Sequence, residues 1–575
     1  MWTFIKLKKA AEASLACEKK YRVAVLGDTA TQLLSQCLRG ELFLSGQNAD
    51  VFDADYNQII PLVIDKDSEL YQFEPDYVIL YQSMESLYAS FQKTGLDERK
   101  SFASYQVSQL KMIVDEIHSH LKDAKIIVFN YIPRNDLVYG SYGLKVTSSF
   151  VYQVRKLDYL LMEASDEMKI YLFDLESIAL EHGYKNLHDD SIFDVSTLAI
   201  NTAFLPYVTS GLKDMILAMR GVVRKCIVLD LDNTLWGGVI GDDGMEGIQI
   251  GELKTGKAFL RFQKWLKELS YRGIILAVCS KNDEEIAMEP FLKHSEMVLR
   301  MEDIAVFMAN WQDKASNIRI IQKRLNVGMD SIVFIDDNPF ERELVKKEIP
   351  EICVPEMPQN PSDYVSYLES LNLFETSSHS LEDRIRGKQY KEEASRRKAE
   401  ETYGSIDDFL KGLHMVSEYS SFQQFYYARI AQLTQRSNQF NLRTVRYTTE
   451  DIERISKDED YLTLQFSLKD DFGDSGLISL LILKKEEETL FIDTWIMSCR
   501  VLKRTMEEFV INELVRYAKE KGFRYLKGQY IETKKNRMVK EIYLKEGFRS
   551  LGNGDFLLDT SDFEERKTFI KGERV

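Results

Sequence analysis

The chain has 575 residues, of which 44% are hydrophobic, and this length and apolar content predict three to four domains. Its net charge of −16 at pH 7 argues against unaided binding to nucleic acid or to an anionic membrane. Six cysteines without a CxxC pair argue against structural zinc and favour a reducing compartment. The N-terminal sequence MWTFIKLKKAAEASLACEKK is too polar for a signal peptide, and no run of 18 apolar residues follows it, so we expect a cytoplasmic protein.

Short apolar strands alternate with amphipathic helices over residues 1–220, which predicts an α/β unit with a mostly parallel sheet. The first strand runs into Gly27-Asp28-Thr29. This triplet resembles the opening block of the SGNH esterases, with threonine at the position of the nucleophilic serine. No Asp-x-x-His triplet occurs near His188 to activate Thr29. We therefore favour a degenerate, structural or docking domain over a residual hydrolase.

An apolar strand, residues 226–229, leads directly into Asp230 and Asp232. Side chains alternate between the two faces of an extended strand, so these two carboxylates are expected to project in the same direction. One carboxylate could then attack phosphorus, and its neighbour could donate or accept a proton. The structural alternative is a strand that simply ends in a polar turn.

Three further segments repeat this pattern of an apolar run followed by a reactive residue. Ser280 ends the second run, and its hydroxyl could donate a hydrogen bond to phosphate. Lys314 opens an amphipathic helix, where a fixed cation could balance the phosphate charge. Asp336 and Asp337 end another run, and neighbouring buried carboxylates repel each other unless a cation lies between them. Together the segments predict a phosphoryl-transfer site, for which Mg²⁺ is a suitable ion.

The four segments resemble the four motifs of the haloacid dehalogenase (HAD) superfamily of phosphotransferases. The runs KCIVLDLDNTLWGGVIGDDG, LAVCSKND and FIDDNPFERE resemble the FkbH-like group of its subfamily IIIC, over roughly residues 222–350. The resemblance implies that Asp230 is the nucleophile and Asp232 the general acid or base. It also implies substrate binding by Thr234, Ser280, Lys281 and Lys314, and Mg²⁺ binding by Asp230, Asp336, Asp337 and the backbone carbonyl of Asp232.

The spacing of these motifs leaves no room for the cap domain that usually shields such sites. Cys279 lies only 47 positions after Asp232, and a Gly-rich turn and a helix fill most of the intervening chain. We therefore expect a Rossmann-like HAD core whose site is open to a large substrate, such as a carrier protein, or is covered by other domains of the chain.

Two cysteines are candidate acyl acceptors, because the FkbH-like resemblance implies an acyl group that passes through a protein thioester. Cys279 directly precedes Ser280, and we expect Lys281 and bound Mg²⁺ to lower its pKa. The alternative is a core thiol, since Cys279 points away from Ser280 in a regular strand. Cys499 lies in the C-terminal region, and we expect the acyl group on Cys279 ahead of Cys499.

A highly charged segment follows, with the sequence SSHSLEDRIRGKQYKEEASRRKAEETYG. Its glutamates Glu392 and Glu393 precede Arg396 and Arg397 by three to four positions, a spacing that stabilises a helix. We expect a solvated helical linker over residues 376–405, and nothing in it indicates catalysis.

The order of strands and helices predicted for the last third resembles the GNAT acyltransferase fold. The runs TWIMSCRV and NRMVKEIYLKEGF resemble its central and C-terminal motifs. The resemblance implies a splayed strand that presents backbone amides to an acyl thioester, followed by a helix whose N-terminus binds the pyrophosphate of coenzyme A. It also implies that Arg500 begins the cofactor loop and that Tyr543 is the general acid. The structural alternative for Tyr543 is packing near Phe548.

The cofactor loop departs from the pattern Arg-x-x-Gly-x-Gly or Gly-x-Ala of such folds. This chain reads Arg500-Val501-Leu502-Lys503-Arg504-Thr505, so both small positions are filled. Glycine at these positions lets backbone N–H groups approach the phosphates. The filled positions argue against acyl-CoA and favour a phosphopantetheine arm as the substitute cofactor.

The predicted architecture is a multidomain α/β protein with an SGNH-like α/β domain (residues 1–220), a Rossmann-like HAD core without a cap (221–375), the charged helical linker (376–405) and a GNAT-like α+β domain (406–575). From the FkbH-like resemblance we expect a Mg²⁺-dependent phosphatase/acyltransferase. It would dephosphorylate a phosphoglyceryl or related acyl phosphate through an aspartyl-phosphate and load the acyl group onto an acyl carrier protein. The alternative is a plain phosphatase that acts on a small phosphorylated sugar or polysaccharide intermediate, with its outer domains used for docking.

Overall fold

In the computed structural model, the described residues are 2–13, 21–378, 381–400, 403–437, 440–498, 501–533 and 536–575, with the backbone alone described for 381–388, 398 and 436. The chain divides into two compact units. The first comprises Met1–Val223 and Glu375–Ser378, and the second comprises Arg224–Phe374 and His379–Val575. Among the described residues, no helix has both the length and the apolar character that a membrane span requires. The domain boundaries that the sequence suggests inside the second unit remain predictions.

The first unit is built on one sheet of five parallel strands, which confirms the predicted parallel arrangement. The strands are β1 (Tyr21–Gly27), β2 (Ala49–Asp53), β3 (Tyr77–Tyr81), β4 (Lys125–Phe129) and β5 (Ile170–Phe173), in the order β2-β1-β3-β4-β5. Successive residues of β1 pack into different apolar clusters, so both faces of the sheet are covered. A sheet buried on both faces requires strands that are apolar throughout, as YVILY in β3 is. The helices are α1 (Phe4–Ala10), α2 (Gln32–Leu44), α3 (Ile59–Ile64), α4 (Glu69–Phe73), α5 (Met84–Lys93), α6 (Phe102–His120), α7 (Phe150–Met168), α8 (Leu175–His182), α9 (Tyr184–Leu187), α10 (Asp190–Ser196) and α11 (Leu205–Met219).

The second unit begins with a four-stranded parallel sheet. Its strands are β6 (Cys226–Leu229), β7 (Ile275–Ser280), β8 (Ile304–Ala309) and β9 (Ile332–Ile335), in the order β8-β7-β6-β9. The apolar run of β6 contributes alternately to a core on each face, which fixes β6 in the middle of this sheet. The accompanying helices are α12 (Ile240–Gly247), α13 (Gly256–Tyr271), α14 (Glu284–Lys293), α15 (Lys314–Leu325), α16 (Pro339–Glu348) and α17 (Tyr364–Ser370). The chain between β6 and β7 forms α12 and α13, as expected for a core without a cap.

After helix α18 (Leu381–Glu400), the second unit continues with a mixed sheet of eight strands. The strands are β10 (Val416–Ser420), β11 (Tyr461–Asp470), β12 (Gly473–Glu486), β13 (Thr489–Met497), β14 (Tyr525–Gln529), β15 (Arg549–Gly552), β16 (Asp555–Asp559) and β17 (Lys571–Arg574), in the order β15-β16-β14-β13-β12-β11-β10-β17. The helices are α19 (Ile406–Gly412), α20 (Tyr427–Arg436), α21 (Thr449–Lys457), α22 (Met506–Glu520) and α23 (Ile542–Lys545). Neighbours β13 and β14 run parallel and pair at only three positions, beyond which they separate. This splayed pair confirms the predicted α+β architecture.

Residues Leu381–Glu400 form helix α18, and where its side chains are described the expectation of a solvated segment is wrong. Glu393 is 5% exposed and Arg396 is 3% exposed. Ala394 packs in the apolar cluster that also contains residues of α15. Arg397 Nη1 donates a hydrogen bond to the carbonyl of Lys323 in the same helix α15, over 2.6 Å. Helix α18 can therefore cover an apolar core although it is highly charged, because its buried charges are paired. The amino-acid composition alone does not reveal this pairing.

The buried charges of α18 form one network with the C-terminal sheet. Glu393 accepts hydrogen bonds from Arg396 (2.8 Å) and Arg397 (3.0 Å), and it also pairs with Arg504. Asp470, at the end of β11, accepts a hydrogen bond from Arg396 over 2.9 Å and forms an ion pair with Arg504 at 3.4 Å. Three guanidinium groups thus depend on two buried carboxylates. Removal of either carboxylate would leave buried positive charge without compensation.

We predict that Glu393→Ala destabilises the second unit strongly. Loss of one partner from a buried ion pair costs about 3–5 kcal/mol, because the remaining charge is left uncompensated. The measurement is the free energy of unfolding from denaturant titration. The control is Glu418→Ala, which removes an exposed partner of Lys469 and should cost less than about 1 kcal/mol. Equal effects of the two substitutions would contradict a structural role for the network.

Candidate active site

Three carboxylates meet at the carboxyl edge of the four-stranded parallel sheet. Asp230 follows β6, and Asp336 and Asp337 follow the neighbouring strand β9. One oxygen from each carboxylate lies within 4.8 Å of the others, a group that could hold a metal ion. Asp230 is 6% exposed and Asp336 is fully buried. Because buried carboxylates at such distances repel each other, the cluster requires positive charge nearby.

Lys314 supplies part of that charge. It is the first residue of α15, and its Nζ lies 2.8 Å from Asp230 Oδ1 and 2.5 Å from Asp336 Oδ2. Burial disfavours the ammonium, but the two carboxylates outweigh burial and raise the pKa of Lys314. Burial and the Asp230 charge raise the pKa of Asp336 to about 7, against the opposing effect of Lys314. One lysine shared by three carboxylates leaves the site with surplus negative charge.

Asp232 is held apart from this cluster by its own hydrogen bonds. Its Oδ1 accepts from Trp236 Nε1 (2.9 Å) and from the backbone N–H of Ile240 (3.0 Å), and its Oδ2 accepts from Asn282 Nδ2 (3.1 Å). Burial raises the pKa of Asp232, although the two N–H donors to Oδ1 act in the opposite direction. A fixed carboxyl group with a raised pKa suits proton transfer. The predicted role of its backbone carbonyl as a metal ligand remains a prediction.

Two further contacts fix the backbone after β9. The hydroxyl of Thr234 accepts a hydrogen bond from the Asp337 N–H (3.1 Å) and donates one to Asp337 Oδ1 (3.4 Å). Arg342 donates from Nη1 to the carbonyls of Asp336 (2.9 Å) and Asp337 (2.7 Å). Thr234 therefore positions a carboxylate in this structure, while its predicted contact with substrate stays a prediction.

Sequence reasoning missed two of these positioning residues, Asn282 and Arg342. Both lie inside the quoted runs, LAVCSKND and FIDDNPFERE. The only available signal was their proximity to motif residues, since neither carries a recognisable catalytic spacing. Their function is visible only from the hydrogen bonds to Asp232 and to the backbone after β9.

The remaining two predicted substrate ligands lie at the end of β7, beside β6. Ser280 is the last residue of β7 and is 2% exposed. Lys281 Nζ pairs with Glu341 Oε1 at 2.6 Å. The structure thus brings Ser280 to the same sheet edge as the carboxylates, whereas the charge of Lys281 is compensated by Glu341. Substrate binding by either residue remains a prediction.

The structure corrects the expectation for Cys279. Its side chain is fully buried in the apolar cluster that also contains Val228 and Phe334, and its Sγ contacts the carbonyl oxygen of Lys314 at 3.7 Å. Burial raises the pKa of the Cys279 thiol well above its usual range, and Lys281, the residue expected to lower that pKa, pairs with Glu341 instead. The effect of bound Mg²⁺ on this thiol stays a prediction. A protonated core thiol is a poor nucleophile. The structural alternative, a core thiol, describes Cys279 in this structure.

Tyr543 requires a similar correction. Its ring is 1% exposed and packs against Phe548 and Phe556, with ring centroids 4.9 and 5.2 Å away. The hydroxyl has no hydrogen-bond partner among the described residues, and burial raises the pKa of Tyr543. A general acid must reach the leaving group, so the packing alternative fits Tyr543 better. The predictions for Cys499 and Arg500 lie outside the described residues.

Thr29, in the first unit, has no visible catalytic support. Its hydroxyl is buried and has no hydrogen-bond partner in the part of the chain that the structure describes. His188 instead contacts the carbonyl of Ala199 through Nδ1 (2.9 Å) and Glu85 through Nε2 (3.3 Å). These contacts agree with a degenerate domain, and the SGNH likeness itself stays a prediction.

Comparison with known proteins finds one matching family and several similar solved structures. The N-terminal domain of the FkbH family matches residues 22–217. The solved N-terminal part of the protein BF1531 from Bacteroides fragilis, described as containing a phosphatase domain complexed with Mg, is 44% identical, covers 66% of this chain and 100% of its own, and has a TM-score of 0.63. The ribosomal-protein-S18-alanine N-acetyltransferase from Escherichia coli is 13% identical, covers 26% of this chain and 99% of its own, and has a TM-score of 0.21. No curated protein matches the chain.

The parallel sheet with its acidic edge is therefore a phosphatase domain of the HAD superfamily. The chain belongs to the FkbH family.

We predict that Lys314→Met destabilises the protein in a pH-dependent way. Without the cation, the pKa of Asp336 in the folded state should rise further above its unfolded value. Stability should then be lost as pH rises from about 4 through neutrality, because the folded state binds the extra protons. The drop in Tm relative to the wild type, measured with a chelator present, should be large at pH 8 and much smaller at pH 5.

The matched control for this substitution is Lys346→Met. Lys346 pairs with the partly exposed Glu343 and Glu356. Lys346 lowers the pKa of Glu356, so its contribution should be constant between pH 5 and pH 8. A pH-independent effect of Lys314→Met would show that the carboxylates do not share its charge.

Proposed function

We propose that the chain is a Mg²⁺-dependent phosphatase/acyltransferase that dephosphorylates a phosphoglyceryl or related acyl phosphate through an aspartyl-phosphate and loads the acyl group onto a carrier protein. The observation that carries the phosphatase part is the cluster of Asp230, Asp336 and Asp337 around buried Lys314. Membership of the FkbH family supports the acyl phosphate and the carrier. The proposed partners are therefore a small phosphorylated substrate and an acyl carrier protein, in the cytoplasm.

The donor set at the sheet edge fits Mg²⁺. Asp230, Asp336 and Asp337 offer three carboxylate oxygens within 4.8 Å, and hard oxygen ligands are those that Mg²⁺ prefers. These residues would hold the ion, as the Mg complex of the Bacteroides fragilis relative supports. When bound, Mg²⁺ would screen the charge of the phosphate from the carboxylates. The surplus negative charge that Lys314 leaves uncompensated favours such an ion.

On a substrate such as 1,3-bisphosphoglycerate, two different bonds would break. At the phosphate ester, Asp230 would attack phosphorus, and Asp232 would give its proton to the leaving hydroxyl oxygen. Water, deprotonated by Asp232, would then release the phosphate from Asp230. At the acyl phosphate, a thiolate would attack the carbonyl carbon, form a thioester and expel inorganic phosphate. Attack on the phosphorus of the acyl phosphate would instead give a free acid, which cannot form the thioester.

A second candidate is a plain phosphatase that acts on a phosphorylated sugar or an intermediate of polysaccharide biosynthesis. The burial and raised pKa of Cys279 favour this candidate, because they leave the described site without an activated thiol of its own. The other domains would then serve for docking. The two candidates share the chemistry at Asp230 and differ only in the fate of the acyl group.

We predict that Asp230→Asn lowers phosphatase activity on a generic phosphate ester by about 10³-fold or more, because an amide cannot form the phosphoenzyme. The control is Asp363→Asn, an exposed change in the same domain that should leave the rate unchanged. A chelator should abolish wild-type activity, and added Mg²⁺ should restore it. Activity that survives in Asp230→Asn or with the chelator would exclude the aspartyl-phosphate mechanism.

We predict that the wild type, given 1,3-bisphosphoglycerate and a carrier protein with its phosphopantetheine arm, produces a hydroxylamine-labile thioester on the carrier. Intact-mass measurement of the carrier detects the product. With Asp230→Asn the adduct should be heavier by one phosphate group, because the phosphate ester survives while the acyl transfer does not need Asp230. Phosphate release without any thioester would favour the plain phosphatase.

A further inference from the structure

The acyltransferase fold implies coenzyme A, and the gap between β13 and β14 is where its arm would lie. In this chain, residues 440–443 run through that gap. The backbone N–H of Met497 on β13 donates to the carbonyl of Phe440 (3.3 Å), and the N–H of Ile531, just past β14, donates to the carbonyl of Leu442 (2.9 Å). Asn441 also forms an antiparallel bridge with Ile496. The chain itself therefore already bonds backbone amides on both sides of the gap.

Side chains close the same gap. Arg443 donates from Nη1 to Asp493 Oδ1 on β13 (2.6 Å) and from Nε to Gln529 Oε1 on β14 (3.0 Å), so one guanidinium spans both strands. The ring of Phe440 packs edge-on against Trp495 at 5.2 Å. The buried amide of Asn536 donates to the carbonyl of Asn441 over 3.0 Å. Residues 440–443 are thus anchored by apolar, ionic and amide contacts.

The position expected to bind the diphosphate of coenzyme A carries carboxylates, which would repel it. The first turn of α22 carries Glu507 and Glu508, whose carboxylates favour the positive end of the helix dipole. Glu507 accepts a hydrogen bond from the backbone N–H of Lys503, over 3.4 Å. Glu546 is buried nearby, and its raised pKa reflects burial and the charge of Glu508. A diphosphate placed here would meet carboxylates instead of unsatisfied N–H groups.

The loop before α22 has left-handed backbone angles of the kind that glycine favours, but the residues at these positions carry side chains. Lys503 and Thr505 stand at the two positions where the family pattern has small residues, and both have left-handed φ angles, 65° and 58°. Arg504 between them is 6% exposed and turns inward to Glu393 and Asp470. The loop holds α18 against the C-terminal sheet, and the Lys503 amide is bonded to Glu507.

We infer that the C-terminal domain does not take coenzyme A, because residues 440–443 of the chain occupy its thioester gap and carboxylates occupy its diphosphate position. This inference goes beyond the proposed function and holds whether the protein loads a carrier or only releases phosphate. It assigns the domain a structural role, in which the loop before α22 anchors helix α18.

A binding experiment tests whether the C-terminal domain binds a coenzyme A analogue. The probe is dephospho-coenzyme A, which keeps the diphosphate and the thiol arm but lacks the phosphate monoester that the Asp230 site would recognise. The protein is the full chain with Asp230→Asn, so that any binding at the phosphatase site does not lead to turnover. We expect no saturable heat in calorimetry and no rise in Tm. Saturable binding that Glu507→Gln strengthens or Lys503→Ala abolishes would overturn the inference.

Hydrogen exchange tests the occupied gap directly. In the ligand-free wild type, the amides of Met497 and Ile531 should exchange slowly, because residues 440–443 accept their hydrogen bonds. Arg443→Ala should accelerate both by about tenfold or more, since it removes hydrogen bonds to a charged group. The control is Arg524→Ala, an exposed change beside Asp559 that should leave both amides unchanged. Fast exchange in the wild type, or no change in Arg443→Ala, would show that the gap is open.

Discussion

The candidate active site of the second unit depends on one buried ammonium group that is outnumbered by the buried carboxylates around it. Lys314 lies within 2.8 Å of Asp230 and Asp336, and Asp337 adds a third acid to the group. Such a cluster is unstable without further positive charge, since the low dielectric strengthens the repulsion. The same repulsion would favour the binding of a divalent cation. The carboxylates that would bind the ion are therefore the same ones whose mutual repulsion destabilises the site.

The position of Lys314 depends on contacts far from the site. Lys314 begins α15, and the later residues of this helix pack in a core with Ala394 of α18. Arg397 of α18 bonds the carbonyl of Lys323 in α15, while Glu393 bonds Arg504 in the loop before α22. Helix α18 thus contacts the phosphatase part through apolar packing and a hydrogen bond, and the C-terminal sheet through buried ion pairs. The C-terminal domain therefore supports the helix that carries Lys314.

The sequence predicted the strands and the positions of the acidic residues because both depend on local pattern. Short apolar runs such as CIVL and YVILY favour buried strands, and residues that follow parallel strands meet at one edge. Local pattern left Cys279 and Tyr543 open between a functional and a core role, and it predicted a solvated Glu393. Each depends on segments distant in sequence: Cys279 on α15, Tyr543 on Phe556, and Glu393 on Arg504. Burial and pKa are properties of those tertiary contacts and leave no local signal.

The corrections to Cys279 and to the C-terminal domain bear on the same question, the source of the acyl acceptor. The thiol of Cys279 is buried and its pKa is raised, and residues 440–443 fill the gap between β13 and β14. The other predicted acceptor, Cys499, lies outside the described residues. Within the described residues neither position offers a reachable thiolate, which favours a thiol that enters from outside, at the carboxyl edge of the phosphatase sheet. The chain between β6 and β7 builds two helices and no cap over that edge, which is the geometry that a long, flexible arm on a carrier protein requires.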